Sequence, residues 1–476
     1  MKPMGNSGNT SQRCAFFIIA CGVVLRLHAA SLNDLIHPDE HFQTLEPAFR
    51  AVYGFGWRSW EWYHGFRPWS VPGVFMPLLW LLKILGVGPG MALITCCRGL
   101  VAICSALPLW GFHRLCVMRG LPELASLTAL GLMAFLPNMV SWGASTFSES
   151  IVFILLWGAL PFIVMAKKRL FLVGMLASTP LAFRYQMGAW FLALTPFFFR
   201  LGSAPFLRLL VGAAIPLGAV GLLDYFTFGT LFHSLVLQIR MNGLEGLSDI
   251  NGTSPWYAYG GMLLQGFGAP ALAVLLLPPL IALLRNKLRW APMDRQVLLP
   301  ALFFCLAHMV IGHKEQRFLL PVLPALFYFC ALGLNWKFMA WPAPPLWRLL
   351  PTLVVAGAFS AAHILTPQHF EASSLGALTG RAAQWFNEHP QAPPSVALVA
   401  HYWIWTRGEM GFGRPMDHED IPLRKLSSKG MGKHSLAFTP AYATAAFNQR
   451  AHPWGWALLA QDSFGNGLFV NNGEHP

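Results

Sequence analysis

Charge is scarce in this chain. Asp, Glu, Lys and Arg make up 11% of its 476 residues, against 55% hydrophobic ones, and the mean hydropathy is +0.49. So little charge excludes a single soluble core. The repeated apolar runs of about 18–22 residues have the length of membrane-spanning helices. Disulfide chemistry is equally thin: the eight cysteines (14, 21, 96, 97, 104, 116, 305, 330) lie in or beside apolar runs, so no disulfide framework braces the polar segments. Adjacent Cys96 and Cys97 read as small apolar packing. Internal repeats are lacking, as are G-x-S-x-G, Walker A, H-E-x-x-H and paired C-x-x-C motifs, which removes the usual serine-hydrolase, nucleotide and zinc signatures. The first apolar run carries Arg26 and His28 and has no A-x-A cleavage site, so it is expected to be a retained anchor.

What charge there is has a pattern. The formal net charge is +13, but the basic residues sit in short clusters between apolar runs. That is the positive-inside distribution of a membrane protein, and it argues against a nucleic-acid partner. Spans are expected at 14–32, 90–112, 123–142, 147–166, 170–187, 189–199, 206–223, 259–284, 297–311, 318–334 and 346–365. The run 71–88 is ambiguous. Treated as a re-entrant or interfacial hairpin, it leaves the basic loops 113–119, 167–169, 200–208 and 285–289 all inside. The expected fold is therefore an all-α polytopic membrane protein of about eleven transmembrane helices. Residues 1–13 form a cytoplasmic head, 14–365 the membrane domain with 33–89 its first non-cytoplasmic loop, and 366–476 a small mixed α/β non-cytoplasmic domain.

The few acids are concentrated. Asp34, Asp39, Glu40, Glu46 and Glu61 are five of 20 in the whole chain, and they flank the stretch "LIHPDEHFQTLEP" after the first span. Pro38 suits a first helical turn, and Asp39 and Glu40 complement its positive end. At helical spacing Phe42, Leu45, Phe49 and Val52 share one face, and Asp39, Gln43, Glu46 and Arg50 the other. This predicts an interfacial amphipathic helix with its apolar face in the membrane surface and its carboxylates toward a cavity, shortened or kinked at Pro47. A second polar group, "GHKEQRF", sets His313, Lys314, Glu315 and Arg317 between two long apolar runs. Charge at that depth is costly, so the group should line a cavity or a water-facing end. With His313 and Arg317 four apart on one helical face, it reads as a cationic cradle for a phosphate, with a polar turn joining two helices as the plain alternative.

Other polar residues fit the same side of the membrane. Arg184 interrupts an apolar run near its outer end, where snorkelling is the plain alternative. Glu149 sits at a helix start, where capping would explain it. The stretch 56–69 mixes four Trp with Arg58, Glu61, His64 and Arg67, which suits an interface belt or a sugar-stacking surface. The run "DHED", 417–420, is expected to be a solvated turn.

These residues resemble a known family. "HPDEHFQTLEPAFRAVYGFGWRSWEW" followed by "FRPWSVP", then "NGTSPWYAYG", then "HKEQRFLLPVLP" are similar to the motifs of the polyprenol-phosphate-mannose-dependent mannosyltransferases, glycosyltransferase family 22 of the GT-C fold. The motifs come in the family's order across 39–324, and the "HPDE" form is closest to the glycosylphosphatidylinositol-anchor enzymes. The resemblance does not extend beyond about 366.

It implies an inverting α-mannosyltransferase. An outward-facing site has no access to cytoplasmic nucleotide sugars, so a polyprenyl-phosphate-mannose donor lipid fits, with a glycolipid or lipid-linked oligosaccharide as acceptor. Asp39 is the expected general base, with Glu40 its alternate or a positioner of the acceptor. His313, Lys314, Arg317, Arg67 and Arg184 are expected around the donor phosphate. His37, Gln43, Glu61, Trp62, Glu149 and Trp256 are expected to contact acceptor or sugar. A monophosphate leaving group does not demand a metal, so neither metal nor cofactor is expected. The membrane would be a bacterial inner membrane with a periplasmic site, or the endoplasmic reticulum with a lumenal one. A GT-C enzyme using another polyprenyl-phosphate sugar is the nearest rival. A transporter is a further one, though it would show matched halves with broken helices, and a lipid-binding scaffold would not need the paired acids and bases. The topology is testable. A cysteine introduced at Ser59 or Ser373 should react with an impermeant thiol reagent from the non-cytoplasmic side, and one at Asn286 only after permeabilisation. Labelling at Asn286 in sealed right-side-out vesicles would make 71–88 a true span.

Overall fold

The computed structural model describes residues 7–32, 37–165, 168–338, 375–399, 410, 412, 414–421, 431, 433–461 and 466–472. The expected span 346–365, the boundary near 366 and Ser373 lie outside them. The chain divides into two compact units. The first comprises Met1–His28, Gly65–Ser70 and Val101–Thr366; the second comprises Ala29–His64, Val71–Leu100 and Pro367–Pro476.

Helices dominate the first unit. Across the chain, six helical stretches are long and apolar enough to cross a membrane: Ser11–Ser31, Met91–Arg119, Ser148–Met165, Ser203–Phe228, Ala258–Leu284 and Pro292–Val310. Four shorter apolar helices accompany them, Ser70–Ile84, Glu123–Phe135, Leu170–Phe183 and Pro324–Asn335. Most are apolar on every side, as a lipid surround allows, and residues such as Phe226, Leu284 and Val310 point outward. The ambiguous run forms the helix Ser70–Ile84, 15 residues with Pro77 inside. That is roughly 22 Å of helix, short of a hydrocarbon core of about 30 Å.

Without a hydrophobic drive between helices in lipid, close backbone approach and polar contacts hold them together. Gly174 lies against the Leu209 carbonyl and Gly212 against the Phe171 carbonyl, so any side chain there would force Leu170–Phe183 and Ser203–Phe228 apart. Arg26, fully buried, donates to the Ala134 carbonyl at 2.8 Å and the Met133 carbonyl at 3.2 Å, capping the end of Glu123–Phe135. Arg119 grips Asp294 through Nε at 2.8 and 2.9 Å, and Tyr328 donates to the same carboxylate at 2.8 Å, which ties three helix ends. Trp157 Nε1 donates to the Pro321 carbonyl at 2.8 Å, anchoring Ser148–Met165 to the chain just after "HKEQRF".

The second unit joins the first polar loop to a sheet domain. Strands β1 (Ser395–Val399), β2 (Asp417–Ile421), β3 (Leu436–Thr439), β4 (Trp456–Gln461) and β5 (Gly467–Asn471) form one sheet of order β2-β1-β3-β5-β4. The β2-β1-β3 part is parallel and β3-β5-β4 antiparallel, with a bulge in β4 between Leu458 and Ala460. Side chains alternate between two covered faces. Val396, Leu398, Leu436 and Phe438 meet the helix Leu375–Glu388, and also Phe42 and Trp57 from the first loop. Ala397, Val399, Ala437 and Phe469 meet Phe447 of the helix Ala441–Ala451.

Two expectations fail here. The "DHED" run is not a turn but the edge strand β2, paired with β1 in register from Ser395–Asp417 to Val399–Ile421. Phe42 does not face a membrane surface; it is 6% exposed, inside a protein core shared with the C-terminal domain. A sequence pattern shows that a face is apolar but not what covers it.

Candidate active site

The acidic segment does not keep one helical period. Residues Glu40–Leu45 form a π-helical turn, and a regular helix, Glu46–Tyr53, follows with Pro47 in its first turn. Pro47 thus starts a helix rather than kinking one, as its missing N–H permits. In a π-turn each revolution takes up nearly one extra residue. The expected polar face is therefore broken. Arg50 stays exposed, Asp39 and Gln43 are partly buried, and Glu46 turns fully inward. Asp39 is 24% exposed, whereas Glu40 and Glu46 have no exposed surface. The ring Nδ1 of His37 accepts the Asp39 N–H at 3.2 Å and lies 3.5 Å from its carboxylate.

Glu61 accepts from Gln43 Nε2 at 3.3 Å, and Trp62 Nε1 donates to the Phe42 carbonyl at 3.2 Å. Trp57 and Trp62 are buried, so of the four expected belt residues only Trp60 is clearly exposed and Trp69 partly so. Of the "HPDE" pair, Asp39 is the carboxylate with exposed surface.

The first unit holds the cations. "GHKEQRF" is not helical through His313; a loop leads into a short 3-10 turn, Gln316–Leu319, so His313 and Arg317 do not share a helix face. Glu315 brings them together instead. Its carboxylate takes Arg317 Nε at 2.6 Å and Nη2 at 3.0 Å, a bidentate pair, and lies 3.0 Å from His313 Nε2. Lys314 spends its donors on carbonyls, Ser254 at 2.9 Å together with Ile311 and Gly312. His313 Nδ1 donates to the Gly252 carbonyl at 3.0 Å, and Ser254 N–H to Gly312 at 3.0 Å. These bonds zip the "NGTSPW" loop onto "GHKEQRF" and leave Trp256 exposed beside it.

Glu149, in the first turn of Ser148–Met165, does more than cap. Its Oε1 is 2.7 Å from Arg184 Nη1 and 3.9 Å from Arg317 Nε, and its Oε2 accepts from Ser148 Oγ at 2.8 Å. The guanidinium of Arg184 lies over the Phe318 ring at 4.8 Å, and that of Arg317 over Phe147 at 4.7 Å. Arg184 and Arg317 are each 7% exposed, and Arg67 acts on Arg184 as a further positive charge. Arg184 and Arg317 thus gather on the carboxylates of Glu149 and Glu315, with Arg67 in their field and Lys314 beside Glu315 in sequence. Buried guanidinium groups of this kind can receive an anionic group such as a phosphate.

Sequence reasoning passed over several members of this cluster. Glu315 stands in the sequence only as a neighbour of the cations, and in the structure its carboxylate joins His313 and Arg317. His308, 2% exposed on Pro292–Val310, stacks on Phe304 and lies within reach of the Arg184 and Glu149 charges. Tyr259, equally buried, feels Arg184 and Glu315. An ionisable residue inside an apolar run is the signal that marks His308. Tyr259 had none beyond lying at the end of a motif.

A polytopic helical bundle with a buried ion cluster defines an integral membrane protein. Comparison with known proteins narrows the class. The Alg9-like mannosyltransferase family matches residues 17–378, and the chain belongs to that family. GPI mannosyltransferase 3 of Candida albicans is 27% identical over 64% of this chain and 60% of its own length. GPI alpha-1,2-mannosyltransferase 3 of Danio rerio is 26% identical over 72% of this chain and 66% of its own. The chain thus spans about three-fifths to two-thirds of these curated relatives. In structure it is similar to ArnT from Cupriavidus metallidurans bound to undecaprenyl phosphate, with a TM-score of 0.62 at 12% identity over 96% of this chain and 98% of that one. That likeness shows the GT-C fold expected from the sequence.

The ion cluster makes a measurable demand. Glu149→Gln leaves two buried guanidinium groups sharing one counter-charge, and breaking such a pair costs about 3–5 kcal/mol. The variant should lose thermal stability in a detergent melt, clearly more than the surface control Glu245→Gln. Equal melts would mean that the cluster carries no structural load.

Proposed function

We propose that the chain is an inverting α-mannosyltransferase that takes mannose from a polyprenyl-phosphate donor and places it on a hydroxyl of a lipid-linked glycan or glycolipid. The observation that carries the reading is the pair of guanidinium groups, Arg184 and Arg317, held almost out of water around Glu149 and Glu315 in the first unit. Guanidinium groups suit an anionic sugar donor, and a structure of the same fold has undecaprenyl phosphate bound. The motifs and the family supply mannose as the sugar, and the relatives' names supply an α linkage and a GPI-type acceptor.

The reaction forms a bond between the acceptor oxygen and the anomeric carbon, and breaks the bond from that carbon to the phosphate oxygen. The acceptor proton goes to Asp39. The leaving group is a polyprenyl phosphate, whose growing negative charge is stabilised by Arg184 and Arg317 as bidentate donors, with Arg67 in their field. Lys314 and His313 keep the motif loop in place and add to the field. Glu40, fully buried, supports the Asp39 turn from behind rather than touching the acceptor; His37, Gln43 and Trp256 contact acceptor or sugar, and Glu61 and Trp62 hold Gln43 and the Phe42 backbone behind them. No metal is needed where guanidinium groups serve. Eleven spans, with the site on the periplasmic or lumenal side, complete the proposal.

Asp39→Asn keeps shape and removes the proton acceptor, so transfer should fall by roughly 10²–10⁴-fold with the fold intact. Loss of activity in Glu40→Gln but not in Asp39→Asn would reverse the two roles. Arg317→Lys should slow transfer and Arg317→Gln slow it further, in kcat as well as KM. EDTA should change none of these rates; inactivation by EDTA with rescue by Mn²⁺ would overturn the metal-free chemistry.

A further inference from the structure

The π-turn begins one residue after Asp39 and hands over to Glu46, whose carboxylate has no exposed surface. We propose that Glu46 is a positioning residue: it ties the Asp39 segment to the C-terminal sheet domain and makes that domain part of the transfer machinery. The inference rests on the role of base given to Asp39 above.

Glu46 collects donors from three stretches of chain. Its Oε2 accepts His41 Nε2–H at 2.8 Å and Met410 N–H at 3.4 Å, and its Oε1 accepts the Trp57 N–H at 2.8 Å. His41 lies within the π-turn, Trp57 lies further along the first polar loop, and Met410 lies 364 residues beyond Glu46. Burying a carboxylate is costly, and an apolar side chain of that size would pack more cheaply. What the charge adds is direction, because hydrogen bonds fix register where apolar contact slides.

The apolar contacts around it join the same segments. Phe42 stacks on Trp57 at 6.1 Å with planes 5° apart, and Trp57 lies 4.2 Å from the His418 ring of β2 and 6.1 Å from Phe412. Phe42 is three residues from Asp39, and its N–H bonds to the Pro38 carbonyl at 3.0 Å, so a shift of Phe42 carries Asp39 with it. The family match ends at residue 378, so it assigns no role to the sheet beyond.

The test uses the full chain in lipid nanodiscs with polyprenyl-phosphate-mannose as donor. An amide at position 46 cannot accept from all three donors. Glu46→Gln should therefore lower kcat about 10–100-fold, the scale of a small misplacement of a catalytic group. Donor KM should stay within about twofold. Amide hydrogen exchange should rise in 37–45 and in β3, and stay unchanged in Ser148–Met165. Phe447→Ala, which loosens the sheet from its other face without touching the loop, should raise exchange in 37–45 and lower kcat in the same way, and it serves also where Glu46→Gln does not fold. Asp39→Asn should abolish transfer with exchange unchanged. Raised exchange with parental kcat would make the link merely structural, and lowered kcat with unchanged exchange would mean that Glu46 acts directly; either overturns the proposal. A parent chain with no transfer activity sinks the reaction itself, even where the exchange coupling holds.

Discussion

A guanidinium group removed from water has to meet a counter-charge or carbonyl oxygens, and in the first unit that requirement fixes the main polar contacts between helices. Arg184 and Arg317 are almost fully buried, and Glu149 and Glu315 are where they are because of it. Each member comes from a different place: Glu149 from a helix start, Arg184 from the break after Leu170–Phe183, Arg317 from a 3-10 turn. Helices unable to use the hydrophobic effect among themselves are thus held by ion pairs at one end and by close glycine contacts along their length.

The second unit solves a different problem. Its carboxylates lie in the first polar loop, and two of the three in the "HPDE…LE" run are fully buried. Glu46 is satisfied by donors from the loop and from the C-terminal domain, and Asp39 keeps about a quarter of its surface exposed. One motif therefore contains a fully buried acid and a partly exposed one seven residues apart.

Much of this was legible in the sequence. Hydropathy marks the helices, because lipid exposure demands long apolar runs, and scarce charge makes each acid and base conspicuous. Asp39, Glu149, Arg184 and Arg317 stood out for that reason. Three things were not legible. The period of 3.6 residues placed Glu46 beside Asp39, but the π-turn rotated it inward, and nothing in "EHFQTL" announces a π-turn. The spacing of His313 and Arg317 suggested a helical face, but Gly312 and the bonds from Lys314 to neighbouring carbonyls hold a loop. Phe42 and Trp57 looked like membrane-interface residues because their partners, such as Leu398 and Phe438, lie more than 300 residues away in a domain that no motif covers.

The central claim is that the donor is a lipid monophosphate and not a nucleotide sugar. Purified chain in nanodiscs, given polyprenyl-phosphate-[¹⁴C]mannose and a lipid-linked acceptor, should yield a labelled α-mannoside and free polyprenyl phosphate. It should give no product with GDP-[¹⁴C]mannose. Transfer from the nucleotide sugar, with none from the lipid donor, would contradict the account.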